Sequence, residues 1–152
     1  MTKITIRTAA PDRARHLLEA SHALMQALFD PEDNHYLEID ALRAPTIHFL
    51  VAEDAAGRVL GCGALASKSG YGELKSMFTD VEARGLGIAS GILAALEAEA
   101  RRQGLPLLRL ETGDKLEAAH RVYQRAGFVT RGPFGDYTAN SSSIFMEKPL
   151  GD

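Results

Sequence analysis

The segment Arg84-Gly85-Leu86-Gly87-Ile88-Ala89 joins a permanent cation and two glycines to the start of an apolar-periodic stretch that runs to about Gln103. The first amides of a helix have no intrahelical acceptor, and the positive helix end adds to their attraction for an anion. Glycines let the backbone approach such a ligand closely, and an arginine beside it adds a charge-assisted donor. The pattern reads as a cradle for a diphosphate built from Arg84, Gly85, Leu86, Gly87, Ile88, Ala89 and Ser90. A glycine pair between a strand and a helix also serves as a plain tight turn, so the segment by itself leaves both readings open.

Other chemistry-bearing residues are sparse. Cys62 is the single cysteine, so no intrachain disulfide can form, and its neighbours Leu60, Ala64 and Leu65 mark it as a buried small side chain rather than a nucleophile. His16 and His22 stand six apart on one helical segment, a spacing that does not bring two imidazoles to one face, and no metal is expected. Acidic and aromatic residues gather in two loop-like segments, with Asp30, Glu32, Asp33, His35 and Tyr36 in one and Phe134, Asp136 and Tyr137 in the other. Carboxylates beside aromatic faces favour a cationic amine, which makes Glu32, His35, Tyr36, Asp136 and Tyr137 the candidate substrate-binding residues. The same acids read equally well as a solvated surface.

The elements that must position these residues follow from periodicity. Lys3 to Arg7 alternates as a first strand, and Pro11 opens a helix to about Phe29 with Ala14, Leu17, Leu18, Ser21, Leu24, Met25 and Leu28 on its apolar stripe. A short helical turn is expected at Glu38 to Leu42. Thr46 to Glu53 and Arg58 to Ser67 are strand-like runs separated by Asp54-Ala55-Ala56-Gly57 and should pair antiparallel, with Gly70 to Thr79 continuing the meander. A helix from Arg84 to Gln103 leads to the leucine-rich run Leu105 to Glu111, which should lie parallel to the strand before the cradle in one βαβ unit. A second amphipathic helix covers Asp114 to Ala126, with Leu116, Ala119, Val122 and Tyr123 inward. Gly127 to Thr130 and Ser143 to Glu147 are short final strands. The expected fold is α/β of the α+β kind, with a mixed central sheet that is antiparallel first and parallel at the cradle.

A chain of 152 residues without a break in composition is expected to form a single domain over residues 1–152. Its formal charge of −3, with Lys and Arg scattered, lacks the basic footprint of nucleic-acid binding. No stretch is long and apolar enough to span a bilayer, and a soluble cytoplasmic protein without a membrane partner is expected. A Walker phosphate loop is excluded, because no Gly-Lys-Ser or Gly-Lys-Thr follows the glycines. A dinucleotide-binding unit, with Glu111 as its ribose-binding acid, fits poorly because the glycines come late and are followed by only one βαβ crossover.

Arg84-x-x-Gly87-x-Ala89 fits the Arg/Gln-x-x-Gly-x-Gly/Ala signature of the GNAT superfamily of N-acetyltransferases, and Ala119-x-x-x-Tyr123-x-x-x-Gly127-Phe128 resembles its second signature. The order of elements agrees, and the resemblance covers nearly the whole chain. Gly132-Pro133-Phe134-Gly135-Asp136-Tyr137, followed by Phe145-Met146-Glu147-Lys148, is similar to a bacterial subgroup of small acetyltransferases.

The resemblance implies a GNAT-like enzyme, a single acetyltransferase domain that moves an acetyl group directly from acetyl-CoA, as cosubstrate and without a metal, to a primary amine of a small molecule or peptide. A non-catalytic acyl-CoA-binding or sensory module is the alternative, and assembly into a homodimer is left open. The resemblance further implies that the cradle holds the diphosphate and that the preceding strand, at Met77, Phe78 and Thr79, bonds the pantetheine arm through its backbone. Glu73, eleven residues before Arg84, matches the general-base glutamate of lysine acetyltransferases in the family. Tyr123 matches the tyrosine that gives a proton to the departing thiolate. Many members carry asparagine seven residues before that tyrosine, and Leu116 stands there instead.

Overall fold

The computed structural model describes residues 3–34 and 36–151; His35, one of the candidate substrate-binding residues, lies outside them. Strand β1 (Thr5–Thr8) runs into a 3-10 turn at Pro11–Ala14, whose proline opens it, and then into helix α1 (Arg15–Leu28). A second 3-10 turn at Pro31–Asp33 and the short helix α2 (Ile39–Leu42) lead to β2 (Ile47–Glu53) and β3 (Val59–Lys68). Between these two strands Asp54 Oδ1 accepts from the amides of Ala56 and Arg58, at 3.0 and 2.9 Å, and Gly57 takes a left-handed φ of 83°. That is the turn chemistry that sets the hairpin register.

Strand β4 (Tyr71–Thr79) completes the meander. A 3-10 turn at Val81–Ala83 then leads to α3 (Ile88–Arg102), and β5 (Leu107–Gly113), α4 (Glu117–Arg125), β6 (Val129–Arg131) and β7 (Ser143–Pro149) follow. The strands form one seven-stranded sheet in the order β1-β2-β3-β4-β5-β7-β6. Only β4 and β5 are parallel, as a βαβ crossover requires. β7 inserts antiparallel between β5 and β6, a placement that local sequence does not encode.

Strand alternation sends each apolar run to two cores. Phe49 and Val51 face α1 and α2, packing with Leu17, Leu18, Leu42 and Cys62, while Leu50 and Ala52 face α3 with Ile92, Leu96, Leu108 and Leu110. The helix approaches β3 so closely that a Cβ added at Gly61 would stand 2.5 Å from Ile88 Cγ2, and one at Gly63 2.7 Å from Ile92 Cγ2. One charged group is locked into this frame. Glu53 is buried at the end of β2, where its carboxylate accepts from Arg7 Nε at 2.5 Å and from Arg13. The Arg7 hydrogen bond holds that carboxyl below the ordinary glutamate range.

The helix behind the glycines begins later than periodicity predicts, at Ile88 rather than Arg84, because Gly85 and Gly87 take φ of 86° and 75° and break the helical path. Similarly, α1 begins after its leading 3-10 turn.

Candidate active site

β4 and β5 are hydrogen-bonded only at Gly72↔Leu108 and Glu73↔Arg109. Beyond those two pairs the strands part and a cleft opens between them, with Leu74 to Met77 on one wall and Leu110 to Gly113 on the other. The opening coincides with a bulge in β4. Cys62 pairs with Phe78 but Ala64 pairs with Lys75, so Gly63 alone faces two residues of β4. Ser76, one of the two, has a left-handed φ of 56°, a strained conformation for a residue with a Cβ. Its Oγ is buried and has no hydrogen-bond partner among the described residues. The Cys62 thiol donates to the Ser76 carbonyl at 3.3 Å, and burial pushes that thiol up to about 12, so it is no nucleophile.

The cradle caps one end of β4. Asp80 accepts from the Glu82 amide to close the 3-10 turn, Arg84 is exposed with extended backbone, and Gly85 and Gly87 have open space where a Cβ would stand. No side chain caps α3, so the amides of Ile88, Ala89 and Ser90 at its first turn are left for an anion. These residues, with Leu86 exposed beside them, fit a diphosphate.

Tyr123 from α4 lines the cleft beside Leu116 and Ala119, its ring edge-on to Phe128 at 5.8 Å. Burial first, and the charge of Glu111 second, push its hydroxyl well above the ordinary tyrosine range. Tyr36 forms another wall, its ring stacked on His22 at 4.0 Å and its hydroxyl accepting from Gln26 Nε2 at 3.0 Å.

Among the sequence-derived candidates, Glu73, Tyr137, Glu32, Asp136 and Phe78 lie outside the cleft lining. Glu73 is buried away from the cleft lining; its carboxylate accepts from the Tyr137 hydroxyl at 2.5 Å and pairs with Lys75 at 3.2 Å. Strand alternation puts Glu73 and Lys75 on one face, and the β6–β7 segment folds over that face to deliver Tyr137. Tyr137 thereby faces inward as a clasp, held protonated by burial and by Glu73, and does not line the cleft. Glu32 and Asp136 are exposed and also lie outside the cleft lining. Phe78, on the α1 face after the bulge, packs against the Leu17 cluster while Met77 lines the cleft.

In their place the fold brings Glu111 and Lys75 to the cleft, with Phe29 and Met25 from the end of α1. In sequence Glu111 stands at the end of a strand and as the acid of the disfavoured dinucleotide unit; its place in the cleft depends on which strand lies opposite. Among the described residues, no three His, Cys, Asp or Glu side chains gather as metal ligands, and no helix is long and apolar enough to cross a membrane.

The sequence model of the Acetyltransferase (GNAT) family matches residues 13–128, which takes in the bulged strand, the cradle and Tyr123. The chain belongs to this family. It is similar to the IAA acetyltransferase of Azospirillum brasilense, with 42% identity over 99% of this chain and 100% of that one. It is also similar to a solved structure assigned as an acyl-CoA N-acyltransferase from Klebsiella pneumoniae, with 36% identity, a TM-score of 0.82 and 97% of each chain covered. A Salmonella typhimurium acetyltransferase, yncA, solved with its cofactor acetyl-CoA, shares the fold at 20% identity, with a TM-score of 0.74 over 99% of this chain and 95% of that one. The chain is therefore an acetyltransferase of the GNAT family, with the mixed α/β architecture of that family.

Proposed function

We propose that this GNAT enzyme, as a single acetyltransferase domain over residues 1–152, moves an acetyl group directly from acetyl-CoA to the primary amine of a small molecule or a peptide. The observation that carries the reading is the cleft at the β4 bulge, which sets a carboxylate, Glu111, and a buried tyrosine, Tyr123, around one opening next to a helix start suited to diphosphate.

In this reading Arg84 and the amides from Leu86 to Ser90 hold the diphosphate, and the backbone of β4 at Met77 and Thr79 bonds the pantetheine arm. When bound, acetyl-CoA supplies an activated acyl carbonyl. An amine acceptor arrives as an ammonium at neutral pH, and Glu111, rather than the clasped Glu73, takes its proton before attack. Tyr123 Oη keeps its proton at neutral pH because burial disfavours the phenolate, and it holds that proton where the leaving sulfur needs one. Glu111 places a carboxylate in the cleft lining, which suits an amine acceptor that arrives as a cation. The route uses neither a metal nor an acyl-cysteine.

Free-thiol release from acetyl-CoA, measured across a panel of small amines and peptides, tests the proposal. Acceptor-dependent release supports direct transfer. Saturable CoA binding without release for any amine would restore the non-catalytic binding module.

A further inference from the structure

Glu111 is held by a chain of hydrogen bonds whose direction is fixed at its far end. The Ser142 amide donates to Asn140 Oδ1 at 2.8 Å, and an amide N–H can only donate, so the Asn140 side chain cannot flip. Its Nδ2 therefore faces Ser143 Oγ, to which it donates at 3.0 Å. With a lone pair of that oxygen taken, the Ser143 hydroxyl proton points onward to Glu111 Oε2 at 2.7 Å. Ser143 opens β7 opposite Gly113 of β5, so the strand register itself places the hydroxyl beside the carboxylate. The Ser142 carbonyl is pinned in turn by the Asp114 amide at 2.8 Å, which ties the start of this chain to the end of β5.

We propose that Ser143 is a positioning residue for Glu111, and that Asn140 sets the sense of its hydroxyl so that the carboxylate is held at one rotamer in the cleft. The proposal rests on Glu111 as the acceptor-side base. A carboxylate on a three-torsion side chain must be within about 3 Å of the amine it deprotonates, and a fixed donor on one oxygen removes most of its rotational freedom. Neither Ser143 nor Asn140 needs to touch the acceptor.

Steady-state kinetics with an amine found by the thiol-release panel provide the test, with the melting temperature of each variant as a control. Ser143→Ala should lower kcat about tenfold and leave the KM for acetyl-CoA unchanged, while Ser143→Thr, which keeps the hydroxyl, should retain activity. Asn140→Asp keeps the shape but replaces the donor by an acceptor. It should turn the Ser143 hydroxyl away from Glu111 and reproduce the Ser143→Ala loss. In a Glu111→Gln background, Ser143→Ala should add no further loss, because the group it positions is gone. Equal losses in both backgrounds, or wild-type kcat for Ser143→Ala, would overturn the positioning role. Wild-type kcat for Glu111→Gln would instead overturn the base assignment, and the inference with it.

Discussion

Arg84 has no partner in the hydrogen-bond and ion-pair network of the described residues and stands exposed next to amides that no side chain caps. Removing it should leave the fold intact and weaken CoA binding by about ten- to a hundredfold, the worth of a charge-assisted contact of roughly 1.5–3 kcal/mol. Calorimetry on Arg84→Ala checks this, and an unchanged affinity would remove the residue from the diphosphate site. Ser76 bears two local costs, a left-handed backbone with a Cβ and a buried hydroxyl without a partner. Ser76→Gly relieves both and should stabilise the fold by on the order of 1 kcal/mol, seen as a higher urea midpoint. A lower midpoint would mean that the side chain packs better than its geometry indicates. Cys62→Ala should keep turnover, since a thiol whose pKa burial has pushed up to about 12 offers no thiolate for acyl transfer. Loss of turnover with fold and CoA binding intact would bring back a covalent route.

At the scale of elements, Glu53 is where β1, the turn before α1 and β2 are fastened together, through Arg7 and Arg13. Its folded-state pKa is depressed, so its stabilisation is present above the unfolded value of about 4.3 and is lost as pH falls through the lower folded value. Glu53→Gln should therefore lower the melting temperature at pH 7, and the gap to wild type should narrow as pH drops below about 4.3. A gap that does not depend on pH would assign the loss to packing instead. The strands and helices themselves are legible in the sequence, because alternation and the 3.6 period survive in Ile47–Glu53, Val59–Lys68 and the α3 stripe of Ile88, Ile92, Leu96 and Ala100. What local pattern does not carry is which strand lies beside which. β7 enters between β5 and β6, and this long-range pairing brings Ser143 to Glu111, while the segment before it folds Tyr137 onto Glu73. Spacing from the cradle therefore singles out Glu73, whereas tertiary contact fills its carboxylate and leaves Glu111 lining the cleft. Of the two acidic loops, the first puts Tyr36 in the cleft wall, while Glu32 and Asp136 are exposed outside its lining.

At the scale of the molecule, the sheet is weakest where the cleft needs it open, at β4 and β5, which share only two register pairs. Something other than the ladder must join the two halves. On one face α3 does so, since Ile92 and Leu96 belong to a core cluster that includes Leu50 and Leu65 from one half and Leu108, Leu110 and Met146 from the other. On the opposite face the join is polar and aromatic. Tyr137 comes from the segment leading into β7, donates to Glu73 on β4, accepts from Lys75 at 2.7 Å, and packs on Phe134 and Phe145 at 5.1 and 5.5 Å. Tyr137→Phe keeps the ring and removes the bridge. It leaves Glu73 buried beside Lys75 without its donor, a loss of about 1.5–3 kcal/mol for a hydrogen bond to a charged group. Since the α3 core still spans the split, unfolding should remain one transition at a lower urea midpoint, and amide exchange should rise most in β4 and β7, on the two sides of the clasp. Saturating CoA, at about 100 times its Kd, should restore roughly 2.7 kcal/mol through mass action on the folded state. Two separate transitions in the variant would show instead that Tyr137, and not the shared α3 core, makes the two halves one cooperative unit.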